Sequence, residues 1–135
     1  MGCALVGRFR EDFLRRRAEA FLEDAKLDYE RGFYDLTLFH VEQFLQLYLK
    51  YLLYRRIGDF PKTHLLTRLF KDVIEVYGDE ALRRFYEENL EAIYLLEEAY
   101  ITSRYIPREY DKEIAERVLQ LAEKAREVLE CLRNR

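Results

Sequence analysis

The spacing of apolar residues divides the chain into helical segments. Between Arg10 and Glu30, Leu14, Ala18, Phe21, Leu22, Ala25 and Tyr29 recur at intervals of three and four. That is the period of one helix face covering a core. Gly32 then offers a residue that accepts the left-handed conformation ending a helix. The short gap at Gly32-Phe33 leaves room only for an antiparallel return.

The second helix, Tyr34 to Ile57, is apolar on most of its circumference. One arc holds Leu38, Val41, Leu45, Leu49 and Leu52, and another holds Leu36, Phe44, Leu47, Tyr51 and Tyr54. Only Glu42, Gln43, Gln46 and Lys50 form a polar stripe between them. Such a helix is buried on most sides, so it is either central or shared with a second copy of the chain. Gly58-Asp59-Phe60-Pro61 ends it.

Thr63 is placed to cap the third helix with its hydroxyl, and that helix carries Leu66, Leu69, Phe70, Val73, Ile74 and Tyr77 on one face before Gly78. Asp79 is placed to cap a fourth segment reaching Thr102, with Leu82, Phe85, Tyr86, Ile93 and Leu96 inward. The pattern does not decide whether a break falls near Asn89. Pro107 disfavours helix before it, so Ser103 to Arg108 reads as an ordered loop. From Glu109 to Leu132, Ile114, Val118, Leu121, Ala125, Val128 and Leu132 make a regular stripe, with Glu113 and Arg117 spaced for an i, i+4 ion pair. The expected fold is a single all-α domain over residues 1–135, an antiparallel bundle of four to five helices.

Composition narrows the function. With 5 Gly and 2 Pro in 135 residues, turns are too scarce for an all-β chain. A net charge of −3 gives no general attraction to nucleic acid, and the arginine clusters at 15–17 and 55–56 sit among acidic residues, as on an ordinary solvated helix. Cys3 and Cys131 have neither a CxxC spacing nor a histidine at ligand distance, so no metal or cofactor is expected and a reducing compartment is. The N-terminus lacks the features of a signal peptide, and the second helix carries too many polar groups for a lipid span. The expected location is the cytoplasm.

Three stretches carry a resemblance. Phe39-His40-Val41-Glu42-Gln43-Phe44-Leu45-Gln46-Leu47-Tyr48-Leu49-Lys50 resembles the second-helix signature of HEPN domains. Pro61-Lys62-Thr63-His64-Leu65-Leu66 resembles that family's entry to its third helix. Thr102-Ser103-Arg104-Tyr105-Ile106-Pro107 is similar to its Ser-Arg-Tyr-Pro loop, with Ile106 inserted. The resemblance spans roughly residues 18–129. It implies an antiparallel helical bundle, usually a homodimer, associated with nucleotides or RNA and often encoded beside a small nucleotidyltransferase in toxin–antitoxin pairs.

Ribonucleolytic members of that family carry an Arg, four to six residues, then a His. His40 and His64 both lack an Arg at that distance, and Arg56 lies too far before His64. No catalytic residue is therefore assigned. His64 is expected to cap or pack, and His40 to lie in the core or a dimer contact. For a nucleotide or phosphate ligand the candidates are Lys50, Gln43 and Gln46 on the polar stripe, joined by Ser103, Arg104 and Tyr105. Lys50 would meet a phosphate, the amides a base edge, Arg104 a phosphate through its planar fork, and Tyr105 would stack. Tyr48, Tyr51 and Tyr54 followed by Arg55 and Arg56 suit a partly wet protein contact. The expected function is a dimeric partner subunit of a nucleotidyltransferase that binds a nucleotide. The rival readings are a ribonuclease with an atypical site and an adaptor bundle without nucleotide affinity.

Overall fold

A computed structural model describes residues 2–105 and 108–135, with side chains from Phe13 onward except that of Ser103. The described residues form six helices: α1 (Gly2–Glu30), α2 (Tyr34–Ile57), α3 (Leu66–Tyr77), α4 (Glu80–Glu88), α5 (Leu90–Tyr105) and α6 (Lys112–Arg133). The class is all-α as expected, but the count exceeds four to five, because the segment expected to run from Asp79 to Thr102 divides. Asn89 marks the break: its backbone amide is shared between the Phe85 and Tyr86 carbonyls at 3.1 and 3.3 Å, and its side-chain amide also donates to the Phe85 carbonyl at 2.9 Å.

Helix α2 is the central element. Helices α1, α3, α5 and α6 all pack against it. Leu38, Val41, Leu45, Leu49 and Leu52 have no exposure, and neither do Phe44 on the other arc and Tyr48. Tyr51 is only 3% exposed and meets Tyr48 edge to face at 5.6 Å. Most of the apolar circumference is thus covered within one chain, while Leu36 stays 39% exposed and Leu47 and Tyr54 are half-buried. Tyr51, read from the sequence as part of a shared arc, belongs to the protomer's own core.

Local signals set the ends of the helices. Gly32, whose positive φ of 80° suits glycine, closes α1 with a paired motif. Its amide donates to the Tyr29 carbonyl at 3.1 Å, and the Phe33 amide donates to the Asp28 carbonyl at 2.8 Å. This tight return lays α1 antiparallel along α2. Asp79 caps α4 through the Leu82 amide at 2.8 Å, and Asp111 caps α6 through the Ile114 amide at 2.9 Å. Both carboxylates satisfy an amide that the first helical turn leaves free.

The start of α3 departs from expectation. Thr63 lies two residues before the Leu65 cap position, and its hydroxyl accepts from the Leu65 amide at 3.1 Å, a local turn rather than a helix cap. The first turn of α3 is satisfied from α5 instead. A carboxylate oxygen of Glu97 accepts from the Thr67 amide at 2.6 Å and the Thr67 hydroxyl at 2.8 Å. An acidic group at a helix N-terminus is favourable by dipole and by hydrogen bond. Glu97 therefore fastens α3 to α5.

Candidate functional site

The polar stripe of α2 is a hydrogen-bonded chain beneath the surface. Glu42 has no exposure and Gln46 only 8%. The Gln43 amide donates to one Glu42 oxygen at 2.8 Å, and the Gln46 amide reaches both oxygens at 3.1 and 3.0 Å. Lys50 Nζ donates to Gln46 Oε1 at 3.0 Å and lies 5.5 Å from the centroid of the Phe60 ring. Gln46 thus links Glu42 to Lys50, and the stripe is buried at Glu42 and Gln46.

Burial dominates its electrostatics. Desolvation pushes the Glu42 carboxyl up to about 8, against the pull of the Gln46 and Gln43 amides and of Lys50, and Glu97 adds to the rise. Glu42 is therefore largely protonated at neutral pH. Desolvation also lowers Lys50, opposed by Glu42.

A second cluster lies toward the other end of α2, around Tyr100 of α5. The Arg104 guanidinium carbon sits 4.6 Å above the Tyr100 ring, one helical turn on. His64, from the α2–α3 connection, stacks with Tyr100 at 5.2 Å and 22°. Phe39 of α2 is also parallel to that ring, at 6.1 Å and 8°. Beyond Phe39 comes His40 at 5.4 Å, which stacks on Phe21 of α1 at 5.6 Å. His40 Nδ1 meets Asp28 Oδ2 at 2.5 Å. A carboxylate only accepts, so Nδ1 carries the proton in this pair. His40 thereby pins α1 to α2, in line with the packing role expected of it.

The geometry separates the sequence-chosen site residues into two groups. Phe39 and Lys50 are eleven residues apart on α2. At the rise of an α-helix that is about 16 Å along its axis. Arg104 lies beside Phe39's partner Tyr100. Lys50, Gln43 and Gln46 form one group through the bonds of Gln43 and Gln46 to Glu42 and of Lys50 to Gln46, with Gln43 only one turn, about 6 Å, from Phe39. Arg104 and Tyr105 form the other, with Tyr105 75% exposed. They stand on the last turn of α5 rather than in a loop. The side chain of Ser103, and Ile106 and Pro107, lie outside the described residues. Arg108 is held by Glu98 at 2.9 Å.

His64 is the site residue that sequence reasoning missed. It is exposed, and neither of its ring nitrogens has a hydrogen-bond partner among the described residues. Its pairing with Arg104 spans forty residues, so no linear Arg-x-His spacing reveals it. The signal was the joint presence of the Thr-His and Ser-Arg-Tyr motifs, which the fold brings to one ring. Arg56, the nearest upstream arginine, faces Tyr77 instead, at 4.0 Å.

A family model, HEPN domain, matches residues 12–132 of the chain. The chain belongs to the HEPN family. No curated protein and no solved structure matches it. The six-helix bundle is thus a HEPN bundle, and the Arg104–Tyr100–His64 corner is its exposed cationic and aromatic feature at the junction of α2, α5 and the α2–α3 connection. No group of three or more metal-ligating side chains exists among the described residues, and no described helix is long and apolar enough to cross a membrane.

Proposed function

We propose that this HEPN chain is a non-catalytic binding subunit that holds the phosphate of a nucleotide, free or within RNA, on Arg104 and His64. It acts as a homodimer and as the partner of a nucleotidyltransferase in a toxin–antitoxin-type pair in the cytoplasm. One observation carries the ligand reading. The Arg104 guanidinium carbon sits 4.6 Å over the Tyr100 ring, and its N–H groups donate to no described residue. A guanidinium held over a ring keeps its N–H donors for an anion. Tyr105 beside it presents an exposed ring to a base.

The absence of catalysis rests on the histidines. Cleaving a phosphodiester requires protons to be moved on both sides of the phosphorus, and His40 is separated from His64 by Phe39 and Tyr100. The ribonuclease reading draws on the same Arg104–His64 pair, without a linear motif. Metal-independent RNA cleavage lost in His64→Ala, with helicity retained, would establish it in place of the binding reading.

Dimerisation has support on α5. Tyr94, Ile101 and Tyr105 fall on one stripe at seven- and four-residue steps, as neighbours on a helix surface do. They are 52%, 45% and 75% exposed. Sedimentation at micromolar concentration is expected to show a dimer, and Ile101→Asp a folded monomer. A monomeric wild-type protein would contradict this. The partnership with a nucleotidyltransferase follows the habit the family resemblance implies. For the ligand, adenosine monophosphate at millimolar concentration is expected to raise the thermal midpoint, because it binds only the folded state. An unchanged midpoint with both the nucleotide and inorganic phosphate favours the adaptor.

A further inference from the structure

On the far side of α5 an open groove of about 400 Å³ separates α5 from α6. The two helices pack on α2 and scarcely on each other. Ala92 and Leu95 of α5 and Ile114, Val118 and Leu121 of α6 supply its apolar surface. Its rim carries Arg117 and Lys124, two turns apart on α6, against a single carboxylate, Glu91. Neither cation is paired among the described residues. The i, i+4 bridge from Glu113 to Arg117 expected from the sequence is not formed, and Lys124 has no acidic partner within bonding distance among the described residues. Arg126 on the same helix is tied down, pairing with Glu19 at 2.9 Å.

We propose that this groove is a second binding site, for a small amphipathic anion whose apolar body lies on Leu95, Val118 and Leu121 and whose carboxylate or phosphate reaches Arg117 or Lys124. A concave apolar surface with a few charged groups at its edge is the usual build of such sites. Its volume of about 400 Å³ lies within the range of small-molecule sites, roughly 300–1,000 Å³. Charge decides against a cation, since the rim holds two positive groups and one negative.

Calorimetry with dodecanoate below its micelle concentration tests the site on the full chain. Saturable binding is expected, with Lys124→Glu and Arg117→Glu each weakening it about tenfold, the loss of one charge-assisted contact. Both positions are exposed, so these variants keep the fold. Ala92→Phe, filling the groove, is expected to abolish binding with helicity intact. Dodecyltrimethylammonium, with the same chain and the opposite charge, is expected to bind at least about tenfold more weakly. Equal binding of the two amphiphiles, insensitivity to both charge reversals, or no saturable dodecanoate binding would overturn the proposal. So would capture of an acidic amphipathic peptide by a groove that ignores dodecanoate.

Discussion

The polar stripe of α2 and the Tyr100 corner contain similar side chains in opposite states. In the stripe, Lys50, Gln46, Gln43 and Glu42 bond to one another in a buried chain, and the carboxyl is forced toward its neutral form. At the corner, Arg104 and His64 pack on an aromatic ring while their nitrogens make no hydrogen bond among the described residues. The first arrangement fixes how helices meet, and the second offers donors to something else. Residue type alone does not distinguish them. What does is whether a group's hydrogen bonds are already satisfied within the protein.

The comparison is sharpened most by removing the buried acid. Glu42 binds its proton up to a pH of about 8 in the folded chain, against an ordinary value of 4.5. Between those values the folded state holds more protons than the unfolded one, so stability falls as pH rises. The total loss across the window is about 3–5 kcal/mol. Urea denaturation of wild type between pH 5 and pH 8 is expected to show that decline, and Glu42→Gln to flatten it. A wild-type protein equally stable at both ends would mean that Glu42 is ionised in the fold and the stripe is not dry.

A smaller effect is expected at the neighbouring carboxylate. Glu97→Ala removes the bonds to the Thr67 amide and hydroxyl. That loss should cost about 1–2 kcal/mol, the range for losing a helix cap. Loss of amide protection confined to the first turn of α3, followed by hydrogen exchange, would identify the cause. Thr63→Ala should cost less than Glu97→Ala, since Thr63 serves only a local turn. The reverse order would restore Thr63 as the cap.

The smallest effect is expected at Lys50. Lys50→Met keeps the stem against Phe60 and removes one hydrogen bond to Gln46. Stability should drop by about 1 kcal/mol or less. Nucleotide affinity should not change, because Lys50 lies far from Arg104. A drop in affinity matching that of an Arg104 variant would join the stripe and the corner into one site.

Local features were legible in the sequence, and long-range ones were not. The bounds of α2, the Asp79 cap and the stops at Gly32, Gly58 and Gly78 depend on a few adjacent residues, and each stands where its chemistry puts it. Residue spacing also placed Glu42, Gln46 and Lys50 on one face. It did not say that this face would be buried, and so suggested a ligand wall where there is a closed network. The cap of α3 came from Glu97, thirty residues beyond the amide it serves. His64 and Arg104 come to the same ring, Tyr100, one from the α2–α3 connection and the other from the last turn of α5. Of the two places the pattern left open for α2, central or shared with a second copy, the central one depends on four helices far apart in sequence, and spacing along α2 could not show them.

The central claim is that the corner, not the stripe, presents the binding groups. Calorimetric titration of adenosine monophosphate into wild type and Arg104→Lys tests it most directly. The substitution keeps the positive charge but loses the planar fork and its stacking on Tyr100. Affinity should fall about tenfold, the loss of one good charge-assisted bond, with the thermal midpoint of the free protein unchanged. Equal affinities for the two proteins, or no heat from either at millimolar nucleotide, would contradict the account and leave Arg104 as an ordinary helix-end residue.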